Sequence, residues 1–399
     1  MSDTAHGPSG SSWRRPMKGR SPEEGHRTAT SLELFFDLCF VVAVAQAAAP
    51  LHHAIAEHHI AHGVQSYLMV FFAIWWAWMN FTWFASAYDT DDDVYRITTL
   101  VQIAGALVLA AGIGPAFDEN QYLGITIGYV VMRLALVAQW LRAAHADPQR
   151  RQTAIRYAAG IGLVQVLWLL RLTLPEGWGT SSFLLLAVLE VLVPIVAERA
   201  PGGPTTYHPH HIAERYGLFT IIMLGESVSA ATIAIRTGLD TGKHVPDLIS
   251  LAVGGIVIVF ALWWLYFDRS AQGLLTSLRT SILWGYGHYF IFASAAAVGA
   301  GLAVSVDFDT DHAEISGPVA GYAVALPTAI YLVFVWLLHI RPHVRGLLLF
   351  AYPAVTVLVL LTPLGPAPIH VTAGLLAVLV AITVALGRRT PDLLEESFD

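Results

Sequence analysis

The chain has 399 residues, of which 55% are apolar and only 13% charged, with a formal net charge of −7. A soluble chain of this length would form two or three domains and carry about twice that share of charge; a mean hydropathy of +0.58 excludes that class. A single cysteine, Cys39, excludes a disulfide-stapled fold.

In chain order, residues 1–30, rich in Ser, Gly, Pro, Arg and Lys, read as a disordered cytoplasmic tail. They do not read as a signal peptide: acidic Glu33 and Asp37 interrupt the following apolar run, and no small-residue cleavage site precedes another mature start. Apolar runs of bilayer-crossing length follow at about 31–50, 64–86, 97–114, 121–142, 153–173, 181–198, 213–235, 247–267, 281–304, 317–339, 345–362 and 369–386. Pro353 and Pro363 interrupt the region of the last two. The expected fold is all-α, a polytopic transmembrane bundle of about twelve helices. Its parts are a first six-helix half at 31–198, a cytoplasmic linker at 199–210, a second half at 211–387 and a cytoplasmic tail at 388–399.

Basic residues orient this layout, because cytoplasmic loops carry the excess of Lys and Arg. With the N-terminus inside, 18 of the 22 basic residues fall in inner segments, from Arg14, Arg15 and Lys18 through Arg142, Arg150 and Arg151 to Arg388 and Arg389. Only Arg171, Arg236 and Lys243 fall outside, and Arg133 lies within a span. Both ends are therefore expected in the cytoplasm, with the chain in the cell membrane. One outer loop is histidine-rich (His52, His53, His58, His59, His62) and another acidic (Asp307, Asp309, Asp311, Glu314).

An internal repeat is also expected. Trp75-Trp76 recurs as Trp263-Trp264, 188 residues later, and an offset of 189 carries Asp37 to Glu226 and Ala104–Gly112 to Ala293–Gly301. Six spans per half make the repeat parallel, as in some secondary transporters.

Charges inside spans are costly, roughly 2.5–3.5 kcal/mol at a helix centre, so they face a bundle interior or a wet cavity. Glu33 and Asp37, four apart, share a helix face. They read either as a cation or proton site or as an entry segment pairing with Arg27 or a neighbouring helix. Glu226, between Gly225 and Ser227, lies ten residues past Tyr216 and so about 15 Å along its helix. It is the sharpest candidate for binding an ion or substrate; its alternative is a buried neutral acid. Arg133 requires a partner and reads equally as a structural ion pair or a substrate contact. His288 suits a pore or proton path. In the turn Tyr88–Arg96 the clustered Asp residues suit a helix N-cap at Asp91 or Asp92 better than a metal loop, since the glycine and terminal glutamate of an EF-hand are absent. The outer histidines read as solvated, so no metal site is assigned.

The chain carries no Walker A loop, HExxH, GxSxG or CxxC motif, and its short connections leave no room for a soluble catalytic domain. No enzyme activity, cofactor or nucleic-acid partner is expected. The expected partners are the lipid bilayer, a small cation or proton, and, as a candidate, a second copy of the chain.

Three stretches, SLELFFDLCFVVAVAQ at 31–46, YDTDDDVYRITTLVQIAGALVLAAG at 88–112 and HIAERYGLFTIIMLGESV at 211–228, resemble the bacterial low temperature requirement protein A family, with WWLYFD at 263–268 as a weaker fourth. The resemblance spans roughly 27–388 and implies a polytopic membrane protein, without implying a substrate. Its recurrent polar positions match at Glu33, Asp37, Asp91, Arg96, His211, Glu214, Arg215, Glu226 and Ser227. Arg27 followed by Phe35-Phe36-Asp37 is faintly similar to potassium channels built from six-helix repeats, but their serine before the aspartate is absent. The leading functional expectation is a cation- or proton-coupled transporter or channel whose pathway is lined by Asp37, Glu226 and His288, with Arg133 as counter-charge. The alternative is a non-transporting scaffold or sensor in envelope stress or cold adaptation.

Overall fold

A computed structural model describes residues 13–21, 27–240 and 245–387. Without water to bond, the backbone of an apolar run must pair with itself, and helices do this within one segment. The helices are α1 (Ser31–Ala56), α2 (Ile60–Tyr88), α3 (Asp93–Ala111), the short α4 (Ile113–Asp118), α5 (Leu123–Ala146), α6 (Arg151–Arg171) and α7 (Gly179–Ala197). They continue with α8 (Pro209–Asp240), α9 (Val245–Phe267), α10 (Leu278–Asp309), α11 (Gly317–Val335), α12 (Leu347–Leu361) and α13 (Pro368–Gly387). Among the described residues there is no strand, and twelve helices of 15 residues or more coincide with the twelve expected spans. Eleven are long and apolar enough to cross a membrane among the described residues; the twelfth long helix is α8, which carries Glu226.

Local chemistry sets several helix ends. At α1, Thr30 Oγ1 accepts from the Glu33 amide at 3.3 Å while Glu33 Oε2 accepts from the Thr30 amide at 2.8 Å, a reciprocal capping box. At α3, Asp92 Oδ1 accepts from the Tyr95 amide at 2.8 Å, so the cap is Asp92 and not Asp91. Ser277 caps α10. Pro353 is accommodated inside α12, and Pro363 sits in the tight turn Thr362–Leu364 that ends it. The end of α11 widens into a π-turn, Trp336–Ile340.

The chain forms two compact units. The first contains Met1–Cys39, Ala77–Leu109 and Tyr122–Ile212; the second contains Phe40–Trp76, Ala110–Gln121 and Ala213–Asp399. In the first, α6 packs between α5 and α7; in the second, α11 packs on α10 and α12, and α13 on α9. Small residues allow close approach, as expected for helices associating in lipid. A Cβ on Gly128 would lie 2.3 Å from the Leu109 backbone nitrogen, and one on Gly301 2.1 Å from the Ala323 carbonyl oxygen. Large apolar side chains such as Leu163, Leu185, Phe260 and Phe350 point outward, where lipid is their solvent.

Two expectations need revision or detail. Composition alone suggests disorder over 1–30, yet residues 13–21 lie against the first unit: Met17 is fully buried, Arg15 N–H donates to Asp92 at 2.7 Å, and Arg20 N–H donates to the Ala87 carbonyl at 2.9 Å. The bonds join main chain to helix ends and are invisible to a composition reading. Residues 1–12, 22–26 and the tail at 388–399 lie outside the described residues. The repeat-matched tryptophans occupy unlike surroundings: Trp75 and Trp76 are buried, whereas Trp263 and Trp264 are about half exposed.

Candidate functional site

In the first unit, the entry of α1 carries a buried polar network. Arg27 donates through Nη1 to the Ser86 carbonyl at 2.6 Å, and its Nη2 stands 3.4 Å from Asp89 and 3.5 Å from Glu33. His211 Nε2 reaches Glu33 Oε1 at 3.2 Å. Of the two readings of Glu33, pairing with Arg27 is the one seen, and His211 joins it. Asp89, outside the spans, has its pKa pushed up to about 6, first by burial and then by the like charge of Glu33, against the pull of Arg27. Burial likewise lowers the Arg27 value.

The Asp-rich turn is taken up by protein contacts. Asp91, at φ +46°, holds Arg96 through two bonds of 2.8 Å. Burial would raise the pKa of Asp92, but the bonds from Arg142, the Arg15 amide and the Tyr95 amide outweigh it and leave the value lowered. Among the described residues no group of three His, Cys, Asp or Glu is arranged to hold a metal. Deeper in the unit, Asp37 is fully buried and accepts from Trp78 Nε1 at 2.7 Å.

Arg133 finds its partner in Glu190 of α7. Arg133 Nη2 donates to Glu190 Oε2 at 2.8 Å, and Oε1 accepts from Tyr129 at 2.8 Å, Gln165 at 3.0 Å and Trp168 at 3.3 Å. Both side chains of the pair are essentially inaccessible. Sequence reasoning missed Glu190, although an acid within the 181–198 run carries the same signal as Glu226.

In the second unit, Glu226 is half-buried on α8, without a hydrogen-bond partner among the described residues. Ser227 is a packing residue: its Oγ donates to the Ala295 carbonyl of α10 at 2.6 Å, beside Gly299. Arg215 is fully buried in this unit, and Glu214 keeps a buried Oε2 that accepts no bond among the described residues.

The densest titratable cluster surrounds His288. His288 Nδ1 is 2.7 Å from the Trp284 carbonyl, which only accepts, so Nδ1 carries the hydrogen. Nε2 of the neutral ring is then an acceptor, facing Tyr266 Oη at 3.1 Å and His339 Nε2 at 3.2 Å. His339, in the π-turn, therefore carries its hydrogen on Nε2, and its buried Nδ1 has no hydrogen-bond partner among the described residues. His343 Nδ1 donates to the His339 carbonyl at 2.6 Å. Sequence reasoning singled out His288 but not His339, 51 residues away.

Of the outer histidines, His53, His58, His59 and His62 are exposed and His52 is half-buried, and three of them also bond the protein. His52 Nε2 meets Asp307 at 2.6 Å, His58 donates to the Glu314 carbonyl at 2.8 Å, and His62 donates to the Phe117 carbonyl at 3.2 Å.

Eleven helices long and apolar enough to cross a membrane among the described residues, with Asp37, Arg133 and Glu190 buried inside, define a polytopic α-helical membrane protein. Residues 28–386 match the Bacterial low temperature requirement A protein (LtrA) family. The chain belongs to that family. A relative, an uncharacterised protein of Rhizobium meliloti (strain 1021), is 25% identical over 323 residues, covering 72% of this chain and 73% of the relative.

Proposed function

We propose that this LtrA-family protein moves protons, or a small cation coupled to protons, across the cell membrane, and that His339 and His288 of the second unit relay the proton. The reading includes no enzyme activity, both ends in the cytoplasm, and two parallel six-helix halves. The observation that carries it is the direct contact of two buried histidines, one with an unsatisfied ring nitrogen. Ionisable groups at such depth mark ion pathways by default. A proton added at His339 Nδ1 makes that ring an imidazolium. Its Nε2 proton then passes to His288 Nε2, leaving His339 neutral with Nδ1–H and His288 charged with both nitrogens protonated. Each step conserves protons and charge, and Tyr266 needs only to turn its hydroxyl. Glu226, half-buried and without a hydrogen-bond partner among the described residues, is the acid most able to take a proton or cation.

The test is proton uptake into proteoliposomes loaded with a pH-sensitive dye under an imposed pH gradient. His339→Gln and Glu226→Gln should each lower uptake at least about tenfold while thermal unfolding stays unchanged. Undiminished uptake in both variants would sink the reading.

A second reading, a non-transporting scaffold or sensor, is favoured by one feature. Arg133 and Glu190 form a buried ion pair through Nη2 within the α5–α6–α7 cluster, as a structural role requires. It expects amide substitutions at the buried acids to lower stability and to change no flux.

A further inference from the structure

A groove of about 280 Å³ runs along the second unit between the end of α1, the start of α2 and the facing sides of α10 and α11. Its mouth lies where α2 and α11 begin: Ile60 is the first residue of α2 and Val319 the third of α11. Its far end is at Ile330, eleven residues further along α11, or about 16 Å at the rise of a helix. That is close to half of the roughly 30 Å hydrocarbon core, the depth of one leaflet.

The lining is apolar and graded in size. Ile60, Val64, Leu68, Phe290, Tyr322 and Leu326 form the rim and are 37–51% exposed. Between them Ala293, Ala297, Ala323 and Pro327 present only small side chains. Among the described residues no charged side chain and no histidine lines the groove. Two of its hydroxyls are engaged by the protein: Tyr67 donates to the Ala293 carbonyl at 2.6 Å, and Ser294 to the Ile291 carbonyl at 3.1 Å. The third, on Tyr322, belongs to the exposed rim near the mouth.

These features select the occupant. A ligand carrying a polar group onto the alanine floor would lose water there without replacement. A helix of a second copy, about 10–12 Å across with its side chains, is too wide for this volume spread over this length. One hydrocarbon chain fits the length, the width and the chemistry. Lipid is also at hand, because the rim side chains belong to the apolar surface that meets the bilayer. On a flat helix face a lipid chain touches protein on one side only; in the groove it touches protein on three, and dispersion attraction grows with the number of contacts.

We propose that this groove seats one acyl chain of a bilayer phospholipid, held longer than the lipid around it. The seat does not depend on proton relay, so the two readings can fail separately. The experiment places the full chain in nanodiscs of phosphatidylcholine carrying a photoreactive diazirine midway along one acyl chain, and maps the adducts by peptide mass spectrometry. Adducts at Ala293, Ala297 and Ala323 should exceed several-fold those at Val253 and Phe260, exposed positions on α9. Ala297→Phe fills the groove and should lower its adducts about tenfold, as when a side chain takes the space of a ligand, with α9 labelling unchanged. Groove labelling no higher than that of α9, or undiminished in the folded variant, would overturn the proposal. So would unlabelled groove positions with a second chain crosslinked at this face, which would assign the groove to a dimer. If Ala297→Phe fails to fold, Ala323→Leu takes its place, and if both fail the ratio of groove to α9 labelling on the unaltered chain decides.

Discussion

Glu190→Gln removes one charge from the α5–α6–α7 cluster while keeping its shape. The introduced amide still accepts from Tyr129, Gln165 and Trp168, which donate to Oε1 at 2.8–3.3 Å. What is lost is the charge facing Arg133 Nη2 at 2.8 Å, in a place where neither side chain reaches solvent. Removing one partner of a buried pair costs about 3–5 kcal/mol. Polar contacts between membrane helices average nearer 0.6 kcal/mol, because the unfolded state in lipid finds partners too. An isolated guanidinium at helix centre costs roughly 2.5–3.5 kcal/mol on insertion scales, and this term decides. The expected loss is therefore about 3 kcal/mol for Glu190→Gln and of similar size for Arg133→Met. The double variant leaves no charge and should cost only about 1 kcal/mol, comparable to one net hydrogen bond. Reversible unfolding in mixed micelles, arranged as a double-mutant cycle, measures the three values. Additive losses, with the double variant the least stable, would refute the claim that the two charges stabilise each other.

Two further predictions concern stability. Asp89 titrates near 6 when folded against a reference of 3.8, so the folded state holds more protons between those values. Stability should then rise as pH falls from about 6 toward 4, by up to about 3 kcal/mol, and Asp89→Asn should flatten that part of the profile; thermal midpoints across the window check both the sign and the variant. Gly301→Ala places a methyl 2.1 Å from the Ala323 carbonyl oxygen, a backbone atom that cannot rotate away. It should cost about 1–3 kcal/mol, whereas Gly162→Ala, with nothing within 4 Å of the added carbon, should be neutral or stabilising by up to about 1 kcal/mol in the same unfolding assay.

The candidate residues divide by how far their partners lie along the chain. Thr30 and Glu33 cap α1 within a single turn, and Asp92 caps α3 with an amide three residues on. Such local pairings are readable from residue type and spacing. Arg133 was recognisable as a residue needing a counter-charge, but its partner lies 57 residues away, and Asp37 and Glu226 were the expected choices. Glu190 takes that role because α5, α6 and α7 pack consecutively in one unit. The same holds for His339, whose ring meets His288 only through the packing of α10 against α11 and the π-turn that ends α11.

The sequence by itself determined the membrane class, the number and bounds of the long helices, and which residues could not face lipid. These follow from transfer free energies and the rise per residue, quantities that belong to each segment alone. Only the tertiary structure decided which buried groups meet: Glu33 with Arg27 and His211, Arg133 with Glu190, His288 with His339. Those pairings depend on which helix faces meet, and an apolar helix packs with many neighbours at similar cost. Position along the chain therefore names the polar residues without naming their partners.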